Sequence, residues 1–151
     1  MIEAKRYLEE IRRADSMIDT LIAQKEELYA RAVSYGSRQK DDIRIKKSAP
    51  DGDRMADAVI RYTMLEKKII ERIDRYIDFK DKVTEQIRTL PSPVYAQILS
   101  LRYLKYTKLE DIAEQMGYSY DYIRKLHGYA LQMFDHINRK EITAYFRKKK
   151  R

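Results

Sequence analysis

Ten residues, Ser119 to Gly128, carry the densest set of groups suited to recognition chemistry. Read as a helix, Ile123, Leu126 and Ala130 fall on one face, and Tyr120, Asp121, Arg124, Lys125 and Gly128 on the opposite, outward face. An arginine there pairs with guanine or bridges phosphates, and a carboxylate such as Asp121 accepts from cytosine N4 or orients that arginine. Lys125 suits a phosphate contact. Ser119 stands where a side chain caps the helix, and the free backbone N–H groups beside it favour an anion. Gly128 has no side chain and permits close backbone approach. Tyr120, Tyr122 and Tyr129 can touch sugar, phosphate or base, or simply pack on the surface.

Other chemistries find little support. His127 and His136 are nine residues apart, not the one-turn spacing of a helical metal pair. There is no cysteine, which excludes disulfides, thiolate metal sites and cysteine nucleophiles. The four glycines, Gly36, Gly52, Gly117 and Gly128, form no phosphate-cradling loop. Carboxylates alternate with bases along helical faces, as solvated surfaces do. No enzyme activity, metal or cofactor is expected.

The elements that would position the outward face can be read upstream. Leu90-Pro91-Ser92-Pro93 breaks the preceding pattern and opens a new unit. Val94, Ile98, Leu101 and Leu104, then Leu109, Ile112, Ala113 and Met116, are apolar at helical spacing. Thr107 and Glu110 form a candidate capping box for a helix over 108–116. Gly117 stops that helix, and Ser119 starts the next. A small residue at Ala113, a turn glycine four positions on and a core residue, Ile123, six further is the spacing of a helix-turn-helix. Tyr103 and Tyr118 are expected at the core edge.

The first ninety residues carry two heptad-like seams. One runs Tyr7, Ile11, Ala14, Ile18, Leu21, Lys25, Leu28 and Ala32. The other runs Ala58, Tyr62, Leu65, Ile69, Arg72, Tyr76, Phe79 and Val83, with Ile87 and Leu90 close to register. Lys25 and Arg72 are their polar interruptions. The expectation is an antiparallel hairpin, with helices at about 3–33 and 54–89, a basic loop over 34–53 and Asp53 as N-cap of the second helix. A second chain supplying the partner face is the other way to cover such seams, so a homo-oligomer through the hairpin is a candidate. The loop groups Arg38 and Lys40, then Arg44, Lys46 and Lys47, can touch nucleic acid or serve as a solvated connection. Pairs Asp57/Arg61, Glu71/Arg75 and Asp78/Lys82 would support an exposed helical face.

Net charge is +8 over 151 residues. Residues 91–138 hold five basic and five acidic side chains, whereas 139–151 hold seven and one. The excess is therefore concentrated in the final stretch, expected as a basic tail following a short docked helix around Ile142, Ala144, Tyr145 and Phe146. Hydrophobic content of 44% allows a core, and 37% charged residues suit long amphipathic helices. No apolar run reaches membrane-spanning length, and the first ten residues mix Glu, Lys and Arg where a leader would be apolar. The expectation is an all-α cytoplasmic protein without membrane association: a long coiled-coil-like hairpin over 1–89, a helix-turn-helix domain over 90–138 and a tail over 139–151.

Leu101-Arg102-Tyr103-Leu104, Leu109 through Ser119, Ile123 and Ala130-Leu131 resemble region 4 of bacterial sigma factors. The layout also resembles small phage and prophage sigma-like regulators of Gram-positive bacteria, through Gly52–Ile60 and Leu126-His127-Gly128. This resemblance implies sequence-specific binding of double-stranded DNA, control of phage or prophage transcription, and RNA polymerase as a candidate partner. There is no recognisable counterpart of sigma region 2, so a complete initiating factor is not implied. Tyr120, Asp121 and Tyr122 stand where primary sigma factors are rich in Arg and Glu, so the target sequence does not carry over. Two other readings use the same elements: a phage DNA-packaging protein of the small-terminase type, and a coiled-coil adaptor that does not bind DNA.

Overall fold

The computed structural model describes residues 2–42 and 51–151. Among these the chain is helical throughout, with no strand: α1 (Ile2–Asp42), α2 (Asp51–Arg88), α3 (Pro93–Leu99), a π turn (Ser100–Leu104), α4 (Leu109–Met116) and α5 (Tyr120–Lys149). No helix among the described residues is long and apolar enough to cross a membrane.

The two long helices meet the expected loop from both sides. α1 runs on to Asp42, because Arg, Gln and Lys favour helix and a lone Gly36 costs only about 1 kcal/mol. α2 starts at Asp51, so Asp53 lies within the helix instead of capping it. The basic group Arg44 to Lys47 lies outside the described residues.

Packing divides the chain into two compact units, one of Met1–Asp15 with Ile77–Arg151, the other of Ser16–Tyr76. The divisions fall within α1 and α2, not at 89/90 or 138/139.

Within Ser16–Tyr76, Lys25 Nζ lies 3.8 Å from Glu66 Oε1, and the Tyr29 and Tyr62 rings sit 6.5 Å apart. These pairs step in opposite directions along the two helices, so the segments run antiparallel. Leu21 and Ile69 are the buried apolar side chains here. The second seam is shifted from the sequence reading at two positions: Leu65 and Arg72 face solvent, while Glu66 and Ile73 are half-buried. Both frames share Tyr62, Ile69 and Tyr76. The observed one lets Glu66 meet Lys25 and turns the Arg72 charge outward. Asp57/Arg61 and Glu71/Arg75 form no ion pair here; Arg75 Nε donates instead to the Glu71 backbone carbonyl at 3.4 Å.

The other unit contains two apolar clusters. Ile98, Ile112, Ala113, Ile123 and Leu126 form one, with α3, α4 and the first turns of α5 meeting around it. Tyr7, Leu8, Ile11, Val83, Ile87, Leu99, Leu131, Phe134 and Ile142 belong to the other. α5 contributes to both and is their common spine. Tyr7 Oη donates to Gln86 Oε1 at 3.2 Å, and Gln86 Nε2 donates to Glu141, so a polar chain links α1, α2 and α5. Lys82 lies 3.9 Å from Glu141 instead of pairing with Asp78.

Residues 139–149 are the last three turns of α5, not a separate tail. Ile142 is buried, and the Tyr145 ring stacks on Phe79 with centroids 5.0 Å apart. Tyr145 Oη and Lys149 Nζ both donate to Glu10 Oε2, at 3.0 and 2.6 Å. Burial pushes the Glu10 carboxyl up, but these two donors and the Lys149 charge outweigh it and hold it below its ordinary range. Apolar contact thus captures a segment that composition alone assigns to solvent.

Candidate nucleic-acid interface

Local chemistry sets each turn around the outward face. Ser92 caps α3, its Oγ accepting from Tyr95 N at 3.4 Å, and Pro93 occupies the first helical position, where no N–H is needed. The helix then widens at the π turn, closed by Lys105 N donating to Ser100 O at 3.1 Å. Tyr106 follows with φ of 56°, a left-handed conformation uncommon outside glycine. Its hydroxyl donates to Asp15, and the Arg12 guanidinium sits 4.8 Å from its ring centroid. These contacts hold the backbone there against its intrinsic preference.

The expected capping box does not form. Thr107 is tied to the preceding segment, its N–H donating to Leu101 O at 2.9 Å and its carbonyl accepting from Arg102 Nη1 at 3.2 Å. The extended residue before α4 is therefore Lys108, which has no side-chain cap. α4 ends as its sequence suggests: Gly117 has φ of 73°, Tyr118 N donates to Ala113 O at 2.9 Å, and Gly117 N donates to Glu114 O at 3.3 Å. Ser119 then caps α5, its Oγ accepting from Tyr122 N at 3.2 Å.

This turn fixes the phase of α5. Ile123, Leu126 and Ala130 are buried, and Tyr120, Asp121, Tyr122, Arg124 and Lys125 are exposed. Gly128 is half-buried, with no atom within 4 Å of where a Cβ would stand. Arg124 Nη1 lies 3.9 Å from Asp121 Oδ1, and its guanidinium is 5.8 Å from the Tyr120 ring centroid. The guanidinium is thus held over the first turn by a carboxylate and an aromatic face, leaving its remaining donors in solvent. The site residues singled out in the sequence lie on one exposed end of α5, and Lys125 stands beside this cluster with its ammonium in solvent.

Tyr118 departs from the core-edge expectation: it is 43% exposed and meets the Tyr122 ring edge-on, with centroids 5.2 Å apart. A residue directly after a left-handed glycine leaves the helical phase, so counting from Met116 misplaces it. Tyr103 is buried, and its hydroxyl meets His127 Nε2 at 3.0 Å. Burial, reinforced by the charges of Arg102 and Lys5, pushes the His127 pKa down to about 4, so its ring is neutral at physiological pH. His136 is exposed. Among the described residues no three His, Asp or Glu side chains converge as a metal site requires.

No protein family, curated protein or solved structure matches this chain.

Proposed function

We propose that the protein is a sequence-specific binder of double-stranded DNA that regulates transcription, with the first turns of α5 as its recognition helix. Following the resemblance to sigma region 4, the regulated genes are phage or prophage genes and RNA polymerase is the candidate partner. The observation that carries the reading is the division of faces on α5: Ile123 and Leu126 bury against α3 and α4, while Arg124 and Lys125 project from the opposite side. The first turns of such a helix are the part that enters a major groove.

Selection of bound duplexes from a random-sequence pool by the full chain tests the reading. A recovered consensus is the expected result. Arg124→Ala should lose about 1–3 kcal/mol on that consensus and far less on unrelated duplex. Failure to enrich any sequence would overturn the proposal.

A further inference from the structure

The α2 segment of the Ser16–Tyr76 unit carries a row of cations on one flank. Arg61, Lys68, Arg72 and Arg75 are three or four residues apart and all exposed. Arg61, Lys68 and Arg72 make no ion pair within 4.0 Å among the described residues, and Arg75 donates only to a backbone carbonyl. Leu65 and Ile69 lie along the same flank, which opens into a groove of about 350 Å³ shared with Arg31 of α1. The carboxylates nearest in position are already engaged: Glu27 with Arg31 at 2.6 Å, and Glu66 with Lys25 at 3.8 Å. The row is therefore a local excess of positive charge about 21 Å long, at 1.5 Å rise per residue.

The recognition segment lacks such an excess. Residues 91–138 are charge-balanced, and Arg124 shares its charge with Asp121. Lys149, at the end of α5, is held by Glu10. Half or more of the hydrogen bonds in a protein–DNA interface go to phosphate and sugar, and phosphate neutralisation supplies much of the affinity. Resting on the DNA-binding reading, we propose that Arg61, Lys68, Arg72 and Arg75 form a second contact surface for the phosphate backbone of duplex DNA. Their role is to supply sequence-independent affinity that the reading end of α5 does not.

The test uses the full chain with all four residues changed, Arg61→Gln, Lys68→Gln, Arg72→Gln and Arg75→Gln. Affinity is measured against salt concentration on the selected consensus and on a scrambled duplex. A variant with arginines replaced by lysine, and Lys67→Gln on the other side of α2, serve as controls, with helicity checked by circular dichroism. Four lost phosphate contacts would make the slope of log affinity against log salt shallower by about 3–4, on both duplexes alike. The consensus-to-scrambled ratio should be unchanged, and both controls should retain the parent slope. Specific binding with an unchanged slope would overturn this inference alone and turn attention to an acidic protein as the occupant. A changed ratio at the parent slope would also overturn it. No binding of the parent protein to either duplex would overturn it together with the DNA-binding reading.

Discussion

Tyr103 and His127 meet face to face, with ring centroids 5.8 Å apart and the phenol oxygen 3.0 Å from Nε2. Burial pushes the Tyr103 phenol pKa up, so it stays protonated and donates to the neutral imidazole. The pair joins the π turn to the middle of α5, where the two apolar clusters adjoin.

Stability should therefore fall on acidification in a window that this histidine sets. Its folded pKa is about 4 against a model value of 6.5, so between these values the unfolded chain binds the extra proton. Stability is full above pH 6.5 and declines as pH falls toward 4. With partial exposure of the ring taken into account, the loss should be about 1–2 kcal/mol. Urea denaturation across this range should show the decline in the parent and a flatter profile in His127→Gln. Glu10 and Asp15, whose carboxyls are held below their ordinary range, act at lower pH: their contribution is present above the unfolded carboxyl pKa and is lost as pH falls through the folded one.

Gly117→Ala should destabilise through the backbone alone. No atom lies within 4 Å of a Cβ built there, so the cost is that of holding φ at 73°. About 1–2 kcal/mol is expected, and less for Gly117→Asn, whose side chain tolerates the left-handed region. Thermal unfolding of the two variants should show that order.

The end of α5 should behave as core. Ile142→Ala should cost about 2–4 kcal/mol by leaving a cavity beneath the last turns. Lys148→Ala and Lys150→Ala should change stability by less than about 0.5 kcal/mol, as exposed positions do. Equal effects at all three positions in denaturant titrations would mean that the segment is not docked.

The contact between Asp121 and Arg124 allows a double-mutant cycle on the selected DNA. If the carboxylate orients the guanidinium, the losses in Asp121→Ala and Arg124→Ala should be non-additive by about 0.5 kcal/mol or more. Additive losses would mean that each side chain contacts DNA independently.

Much of the arrangement was legible because it rests on local chemistry. Gly117, Ser119 and the 3.6-residue period after it fix the start and phase of α5 within a dozen residues of chain. What was not legible depends on partners distant in sequence. Nothing near Thr107 announces that its amide is taken by Leu101, which displaces the cap of α4. Tyr145 and Lys149 read as tail until Glu10, some 135 residues earlier, is brought beside them. The seam around Leu65 and Glu66 was ambiguous by a single step, and a lysine on the facing helix decides it. The clusters of this unit draw on α1, α2 and α5 together, so the chain from Leu90 onward contains only part of its own core.

The π turn at Ser100–Leu104 has a consequence for how this chain can vary. A π turn is a helix carrying one residue more than the α repeat needs. Deleting a residue there would relax the helix to regular geometry and rotate everything after it by about 100°. Tyr106 would then swing away from Asp15 and Arg12, and the left-handed backbone they secure would lose its support. An in-frame loss of one codon at this point would thus re-aim the turn into α4, whereas one on the solvent side of a connecting loop would shorten the chain without redirecting it.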